Sequence, residues 1–256
     1  SFSKSFGDTN VRLSYTNTNI QGVVPTSKID KNNLSLNMTS KLSDKLEIES
    51  VLNYVQTAAF NRPEVGYGDN AFGEKFFQWG QRQLDYSLLE KYYLRPDGTQ
   101  RSWNRNSWDD GTPAYHDNPY WTIYKNTNDD TRQRFFGNVG LTYHINKSLY
   151  VVGKVYGDVY SQFNQSRTAV GSVAVSGYDL YLKNQSEYNY EGRVHFDKSF
   201  GDFSLNSFVG VNRRQAKNSI VHSYTVGGLI IPELYNLNNG WSDSKTENSA
   251  SQRRVN

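Results

Sequence analysis

Aromatic side chains are concentrated in residues 59–131, which contain four of the five Trp of this chain. Aromatic rings stack on the apolar faces of sugars, and the polar edges of Trp and Tyr form hydrogen bonds. Asp and Asn side chains in the same stretch supply further partners for ligand hydroxyls. The stretch therefore predicts a ligand-binding loop, whose candidate substrate contacts are Trp79, Trp103, Trp108, Tyr120 and Trp121.

A structural interpretation of the same aromatics stands beside this one. A connection this long needs a core of its own, and aromatic rings build such a core compactly. We expect most of the Trp side chains to pack within the loop and one or two to contact the ligand. Trp103 and Trp108 rank above Trp121 as ligand contacts.

The residue types give little support to catalysis. His116 lies near Asp109, Asp110 and Asp117, yet the four His are in separate segments without metal-ligand spacing. There is no Cys, which excludes thiol catalysis and thiolate metal sites, and no hydrolase, zinc-protease or phosphate-loop motif. The sequence thus predicts a protein that is not an enzyme and has no cofactor. Calcium at Asp109 and Asp110 in an outer loop is an alternative that no motif supports.

The composition is unusual for a soluble domain of 256 residues. Only 36% of the residues are hydrophobic, and 14% are aromatic. No apolar run is long enough for a transmembrane helix, but a spanning β-barrel alternates lipid-facing and lumen-facing residues and averages out as polar. The net charge of +3 comes from 28 basic and 25 acidic residues without a basic block, so no nucleic-acid partner is predicted.

Strands must position these residues, and the clearest pair covers residues 132–163. Apolar and polar residues alternate there, for example Val139 and Leu141 against Asn138 and Thr142, and a tight break follows at Asn146. Period-two alternation of this kind predicts a β-hairpin with one apolar and one polar face. Each arm is long enough for the ~9–11 residues of a tilted membrane-crossing strand.

The same alternation recurs along the chain and predicts about seven full strands plus a strand stub. Tight turns alternate with longer polar connections, of which the outer ones are residues 59–131, about 164–182 and about 215–256. The fold class predicted is all-β: an antiparallel up-and-down transmembrane β-barrel segment with short periplasmic turns and long extracellular loops. The tight turns are Gly7-Asp8, Ser43-Asp44, Asn146-Lys147 and Gly201-Asp202.

Charged residues at the strand centres fall on one phase of the alternation. Lys or Arg facing lipid at the bilayer midplane costs ~2–4 kcal/mol, so these side chains are expected to face the lumen. A soluble β-sandwich also alternates, and it remains the alternative fold. The predicted lumen-facing residues are Glu49, Lys154, Asp158, Glu191 and Arg193.

Three segments resemble the SusC/RagA-type TonB-dependent outer-membrane transporters. The family pattern of strand, loop and strand is similar to residues 12–37, and its large outer-loop motif is similar to residues 227–239. The third segment is Asn118-Pro119-Tyr120-Trp121, followed by Arg132 and Arg134 at the next strand.

The resemblance implies a barrel of about 22 strands closed by a plug domain. It also implies import driven by TonB through the plug, a SusD-like lipoprotein lid, contact with membrane lipid, and an oligosaccharide or peptide substrate. The location would be the outer membrane of a Gram-negative bacterium. This sequence shows no plug, no TonB box and no closing C-terminal strand, so residues 1–256 are expected to be part of one barrel domain. A non-transporting glycan-binding β-domain with an aromatic-rich loop is the alternative function.

Overall fold

The computed structural model describes all residues, 1–256, and is built on nine β-strands. Period-two alternation and β-branched or aromatic residues favour strands along most of the chain. The strands are β1 (Phe2–Phe6), β2 (Thr9–Gln21), β3 (Lys28–Ser43), β4 (Leu46–Phe60), β5 (Asn128–His144), β6 (Leu149–Thr168), β7 (Gly177–Phe200), β8 (Phe203–Leu229) and β9 (Gly240–Val255).

Each strand pairs antiparallel with the next one in sequence, giving a single sheet in the order β1 to β9. Successive connections therefore alternate between the two ends of the sheet. The short turns after β1, β3, β5 and β7 all lie at one end, and the longer connections after β2, β4, β6 and β8 lie at the other. The predicted all-β, up-and-down meander is confirmed.

The β4–β5 connection, which we call the long loop, contains three short helices. They are α1 (Phe72–Phe77), α2 (Tyr86–Lys91) and α3 (Pro119–Lys125). Local sequence fixes the last two: the Asp85 carboxylate caps α2, and Asn118 caps α3 with Pro119 at its first turn. None of these helices has the length and apolar character that crossing a membrane requires.

Packing is densest at the loop end of the sheet. Trp121, Ile123, Ala169 and Leu229 are all at most 4% exposed, and they come from loops or strand ends. The apolar phase of the strands is far more open, as with Val155 at 44% and Val209 at 79%. No second layer within residues 1–256 covers that phase.

The predicted loop over residues 215–256 is wrong. β8 continues to Leu229, and β9 occupies most of the remainder, so eight long strands accompany the short β1. Beyond Val211 both phases of β8 are largely polar, which removes the alternation by which a strand is identified. Backbone pairing with β7 and β9 holds this part extended instead.

The other outer connections are also shorter than predicted, for the same reason. The β6–β7 connection covers residues 169–176, against the predicted 164–182, and the long loop covers 61–127, against 59–131. Strand ends in this region carry polar residues on both faces, and their backbone ladders extend past the end of the amphipathic pattern.

Candidate functional site

One face of the sheet carries the charged strand residues, and we call it the inner face. The register aligns Glu49, Gly140, Lys154 and Glu191 in a single row across β4 to β7. Lys154 pairs with Glu49 across the intervening glycine, and Arg193 Nη2 lies 2.9 Å from Glu191 Oε2.

Two further ion pairs lie on the inner face nearer the loops. Arg134 donates to both oxygens of Asp158 at 2.8 and 2.5 Å, and Arg214 donates to both oxygens of Glu187 at 2.7 Å. All five predicted lumen-facing residues thus share one face, and all five are ion-paired. That this face lines a lumen stays a prediction.

The Asn118 side chain organises the long loop. It is fully buried, and its amide donates to the carbonyls of Leu89 and Arg101 at 3.0 and 2.8 Å. Its Oδ1 accepts from Tyr120 N at 2.8 Å and so begins α3. One side chain therefore joins α2, the following turn and α3.

The neighbouring segment fastens the long loop to the β6–β7 loop. Trp121 Nε1 donates to Ser172 Oγ at 2.8 Å, and Gln100 Nε2 donates to Gly171 O at 2.7 Å. Asp117 Oδ1 accepts from Gln100 Nε2 and from Val173 N. Gly171 has φ +98°, and its Cα approaches the Trp121 ring closely enough that a Cβ would lie 3.5 Å from it.

Trp121 is 3% exposed and leaves no open ring face for a ligand, so the geometry favours an anchoring role. Tyr120 is half-buried, with its ring 5.5 Å edge-on from Phe76 and 6.3 Å from Tyr124. Their contact with substrate stays a prediction that the packing does not favour. The motif at these positions serves the loop core.

A second aromatic cluster surrounds His116. The Trp103 ring stacks on the imidazole at a centroid distance of 5.9 Å, and the Trp79 ring meets it edge-on at 5.1 Å. Trp79 also touches Tyr115, and both are open to solvent, at 62% and 69%. This cluster presents part of its surface outward, and Trp103 forms its floor.

Trp108 stands apart at the tip of the long loop and is 89% exposed. The turn beneath it is stiffened by Asp110, which accepts from Asn106 Nδ2 at 2.8 Å and from Thr112 N at 2.9 Å. These hydrogen bonds lower the pKa of Asp110 to about 2. The carboxylate is thus engaged by its own loop, and no group of three or more His, Cys, Asp or Glu in the chain is placed to hold a metal ion.

Burial shifts two titratable groups of the loop core. Desolvation, aided by Lys75, lowers the pKa of His116, and both its ring nitrogens lack a hydrogen-bond partner. Desolvation raises the pKa of Asp117, which is completely buried. Both shifts favour the uncharged forms, as expected for a water-poor loop core.

The segment of residues 227–239 forms the end of β8 and the β8–β9 loop. Asn239 is 5% exposed and holds the loop by bonding Ile231 N, Ile231 O and Leu234 O. Neighbouring loops cover Leu229, but Ile230, Ile231 and Leu234 remain 48–54% exposed. Packing by other loops of this chain therefore covers only part of the apolar run.

Sequence reasoning missed the polar residues that join the loops. Gln100, Asp117 and Asn126 are buried and link segments distant in sequence, and Asn126 Oδ1 accepts from Ala169 N at 2.9 Å. In the sequence, these side chains cannot be distinguished from other polar residues of a loop. The pairing of Arg62 with Asp130, at 2.5 Å, was also missed, since it depends on which strands become neighbours.

No protein-family model and no curated protein matches the sequence. Among solved structures, the chain is similar to a chain of the RagAB peptide transporter, with a TM-score of 0.72, 12% identity, and coverage of 99% of this chain and 28% of that one. The RagAB peptide importer in its "closed-closed" state matches with a TM-score of 0.70 and 12% identity, over 98% of this chain and 28% of that one. In its "open-open" state the TM-score is 0.70 and the identity 13%, over 98% of this chain and 27% of that one.

This likeness extends over nearly the whole chain and, at such low identity, concerns the fold. The chain spans about 28% of the length of the structures it matches. The resemblance predicted from the sequence is therefore confirmed at the level of fold: the nine-stranded sheet and its loops have the fold of a section of a RagAB transporter chain.

Proposed function

We propose that this chain is a section of a TonB-dependent outer-membrane barrel that imports peptides. The observation that carries the proposal is the two-faced sheet. Its ion-paired inner face suits a water-filled lumen, and its uncovered apolar face suits lipid. The fold likeness to a peptide importer supports transport as the purpose of such a wall.

Membrane insertion accounts for the exposed apolar phase. Val139, Val155 and Tyr190 are 39–44% exposed and lie side by side on neighbouring strands. A contiguous apolar surface of this kind requires a cover in a soluble protein. Lipid provides that cover, and the strands are long enough to cross a bilayer at a tilt.

Peptide is favoured over oligosaccharide as the substrate because the similar structures are those of peptide importers. The exposed rings of Trp79 and Trp108 are the best-placed candidates for substrate contact, since both reach beyond the loop core. Neither catalysis nor a cofactor is needed for this function.

The half-exposed Ile230, Ile231 and Leu234 at the loop end are the proposed contact for a SusD-like lipoprotein lid. The name RagAB denotes an importer with two components, and this supports a partner of this kind. Coupling to TonB would pass through a plug domain elsewhere in the parent protein. The alternative function, a non-transporting glycan-binding module, draws on the same exposed Trp rings.

Uptake in a Gram-negative host separates these functions. The host would lack the gene of the parent protein and receive it back on a plasmid. We expect fluorescent peptides to enter only with the plasmid and only while TonB is present, and we expect the protein to need detergent for extraction. Extraction without detergent, together with binding of glycans but no uptake of any labelled solute, would establish the binding module instead.

A further inference from the structure

Three cations lie in one row across the inner face near the loop end. The register aligns Lys31 on β3 with Thr57, Arg132 on β5, Gln162 and Lys183 on β7. Adjacent strands are about 4.8 Å apart, so successive cations are separated by roughly 10 Å. We call Lys31, Arg132 and Lys183 the basic row.

No member of the basic row forms an ion pair or donates a side-chain hydrogen bond. Three carboxylates within two rows of the basic row are each engaged by another cation: Asp130 by Arg62, Asp158 by Arg134, and Glu187 by Arg214. Lys154, Glu49, Arg193 and Glu191 further along the inner face are also paired, whereas the three cations of the basic row have no carboxylate partner. An uncompensated row within a narrow, low-dielectric lumen attracts anions strongly.

Tyr160 holds two of the three cations in place. The Arg132 guanidinium carbon lies 4.0 Å from its ring centroid, and Lys183 Nζ lies 5.7 Å from it. The ring is itself fixed, since it is 9% exposed and its hydroxyl donates to Gln185 Oε1 at 2.9 Å. Cation–π contacts orient a guanidinium without engaging its N–H groups through an oxygen acceptor. Arg132 Nε accordingly has no hydrogen-bond partner.

The basic row lies close beneath the long loop, because β5 begins at Asn128 and Lys183 lies near the loop end of β7. A substrate that leaves the exposed Trp rings and moves down the inner face meets this row before the paired charges of Lys154 and Glu191. The basic row is therefore the group of unpaired charges that lies between the long loop and those paired charges.

We propose that the basic row binds the carboxylates of acidic peptides, with Arg132 as its central residue. Guanidinium groups bind carboxylates through two parallel hydrogen bonds, and flanking ammonium groups add charge attraction. The proposal rests on the proposed function and specifies its substrate: peptides with several Asp or Glu residues are preferred over neutral ones.

The test uses the intact parent protein, purified in detergent, and calorimetry. The probes are a peptide with three Glu residues and the same peptide with Gln at those positions. We expect the Glu peptide to bind more tightly, with a steeper loss of affinity as salt is raised. R132Q and K183Q should each lower affinity for the Glu peptide by about fivefold or more, while leaving the Gln peptide unaffected.

Arg213→Gln provides the matched control. This substitution removes the same charge from the opposite face of the sheet. Arg213 is exposed there, lies opposite Tyr190 in the register and forms no ion pair. It should leave both affinities unchanged. A difference in migration between unheated and heated samples on SDS gels verifies that each variant barrel has assembled.

The outcomes separate this inference from the proposed function. Equal affinity for Glu and Gln peptides in the wild type would overturn the basic row as a carboxylate site and leave peptide import standing. Row-dependent binding of an acidic oligosaccharide, with no binding of acidic peptides, would overturn the peptide assignment. Absence of uptake for every peptide, acidic or neutral, would overturn the proposed function itself.

Discussion

Lys154 and Glu49 form an ion pair although their strands are not neighbours in the sheet. Gly140 of β5 lies between them in register, and because it has no side chain, the side chains of Lys154 and Glu49 can meet above it. A Cβ on Gly140 would lie 3.0 Å from Glu49 Oε1 and 3.2 Å from Lys154 Cγ. The glycine is thus a condition for the longest-reaching ion pair of the inner face.

Replacing Gly140 with Val should destabilise the assembled barrel by ~1–3 kcal/mol, as expected for overpacking at a filled position. Gly153→Val is the matched control, because nothing lies within 4 Å of a Cβ at Gly153. The measurement is the temperature at which the folded band on an SDS gel disappears. Equal shifts for the two variants would mean that the gap at Gly140 has no special role.

The assignment of faces predicts opposite effects for two adjacent residues. Val155→Arg places a charge on the apolar face and should impair assembly by ~2–4 kcal/mol near the midplane. Lys154→Ala removes one member of a partly exposed ion pair and should cost less than ~1 kcal/mol. Spin labels at the two positions give an independent check. A lipid-soluble relaxation agent that reached position 154 and missed 155 would reverse the faces.

The amphipathic strands could be predicted because a sheet with one apolar and one polar face imposes period two on the sequence. Val151, Lys154 and Val155 display that contrast directly. From Arg213 to Asn218 both phases of β8 are largely polar and carry no alternation, so the strand is recognisable only from its backbone partners.

The candidate site divides in a similar way. Residue type alone indicated which stretch is rich in aromatics, but not which rings point outward. Trp121 and Trp108 have the same side chain, yet one is 3% and the other 89% exposed. The basic row could not be found from sequence either, since its members come from three strands and depend on the register.

Sidedness follows from the alternation of short turns and long loops. Barrels of this type place short turns in the periplasm and longer loops outside. Val175 lies in the β6–β7 loop, and its side chain is 73% exposed. We expect an impermeant thiol reagent on whole cells to label Val175→Cys and to leave Lys147→Cys, in the β5–β6 turn, unlabelled. Permeabilised cells, in which both should react, control for reactivity. The opposite labelling pattern would invert the orientation.

The long loop should loosen in mild acid because of His116. Burial and nearby Lys75 lower the pKa of this imidazole below 6.5, so the folded loop favours the neutral ring. Its contribution to loop stability is complete above the unfolded pKa of 6.5 and is lost as the pH falls from there through the lowered folded pKa. Hydrogen exchange across residues 99–118 should therefore accelerate as the pH falls below about 6.5, after correction for intrinsic rates.

His116→Phe keeps a ring against Trp103 and removes the titration. This variant should show a flatter pH response, whereas an unchanged acid response would assign the effect to another group. Asp117 is not that group, because burial raises its pKa and protonation therefore stabilises the folded loop. Glu74 and Lys75 also face this cluster, and both are the same in the wild type and in His116→Phe.

The two Trp residues ranked highest for ligand contact should separate when each is changed to Ala. Trp108 is 89% exposed and makes no ring contact within the loop, so W108A should leave folding intact and weaken peptide binding by ~0.5–1.5 kcal/mol beyond the loss of contact area. Trp103 stacks on His116, so W103A should also reduce the protection of loop amides from hydrogen exchange. Calorimetry and hydrogen exchange on both variants, with the buried Trp121→Phe as a packing control, distinguish the roles. If W108A binds its peptide as tightly as the wild type, the exposed Trp108 ring is not a substrate contact.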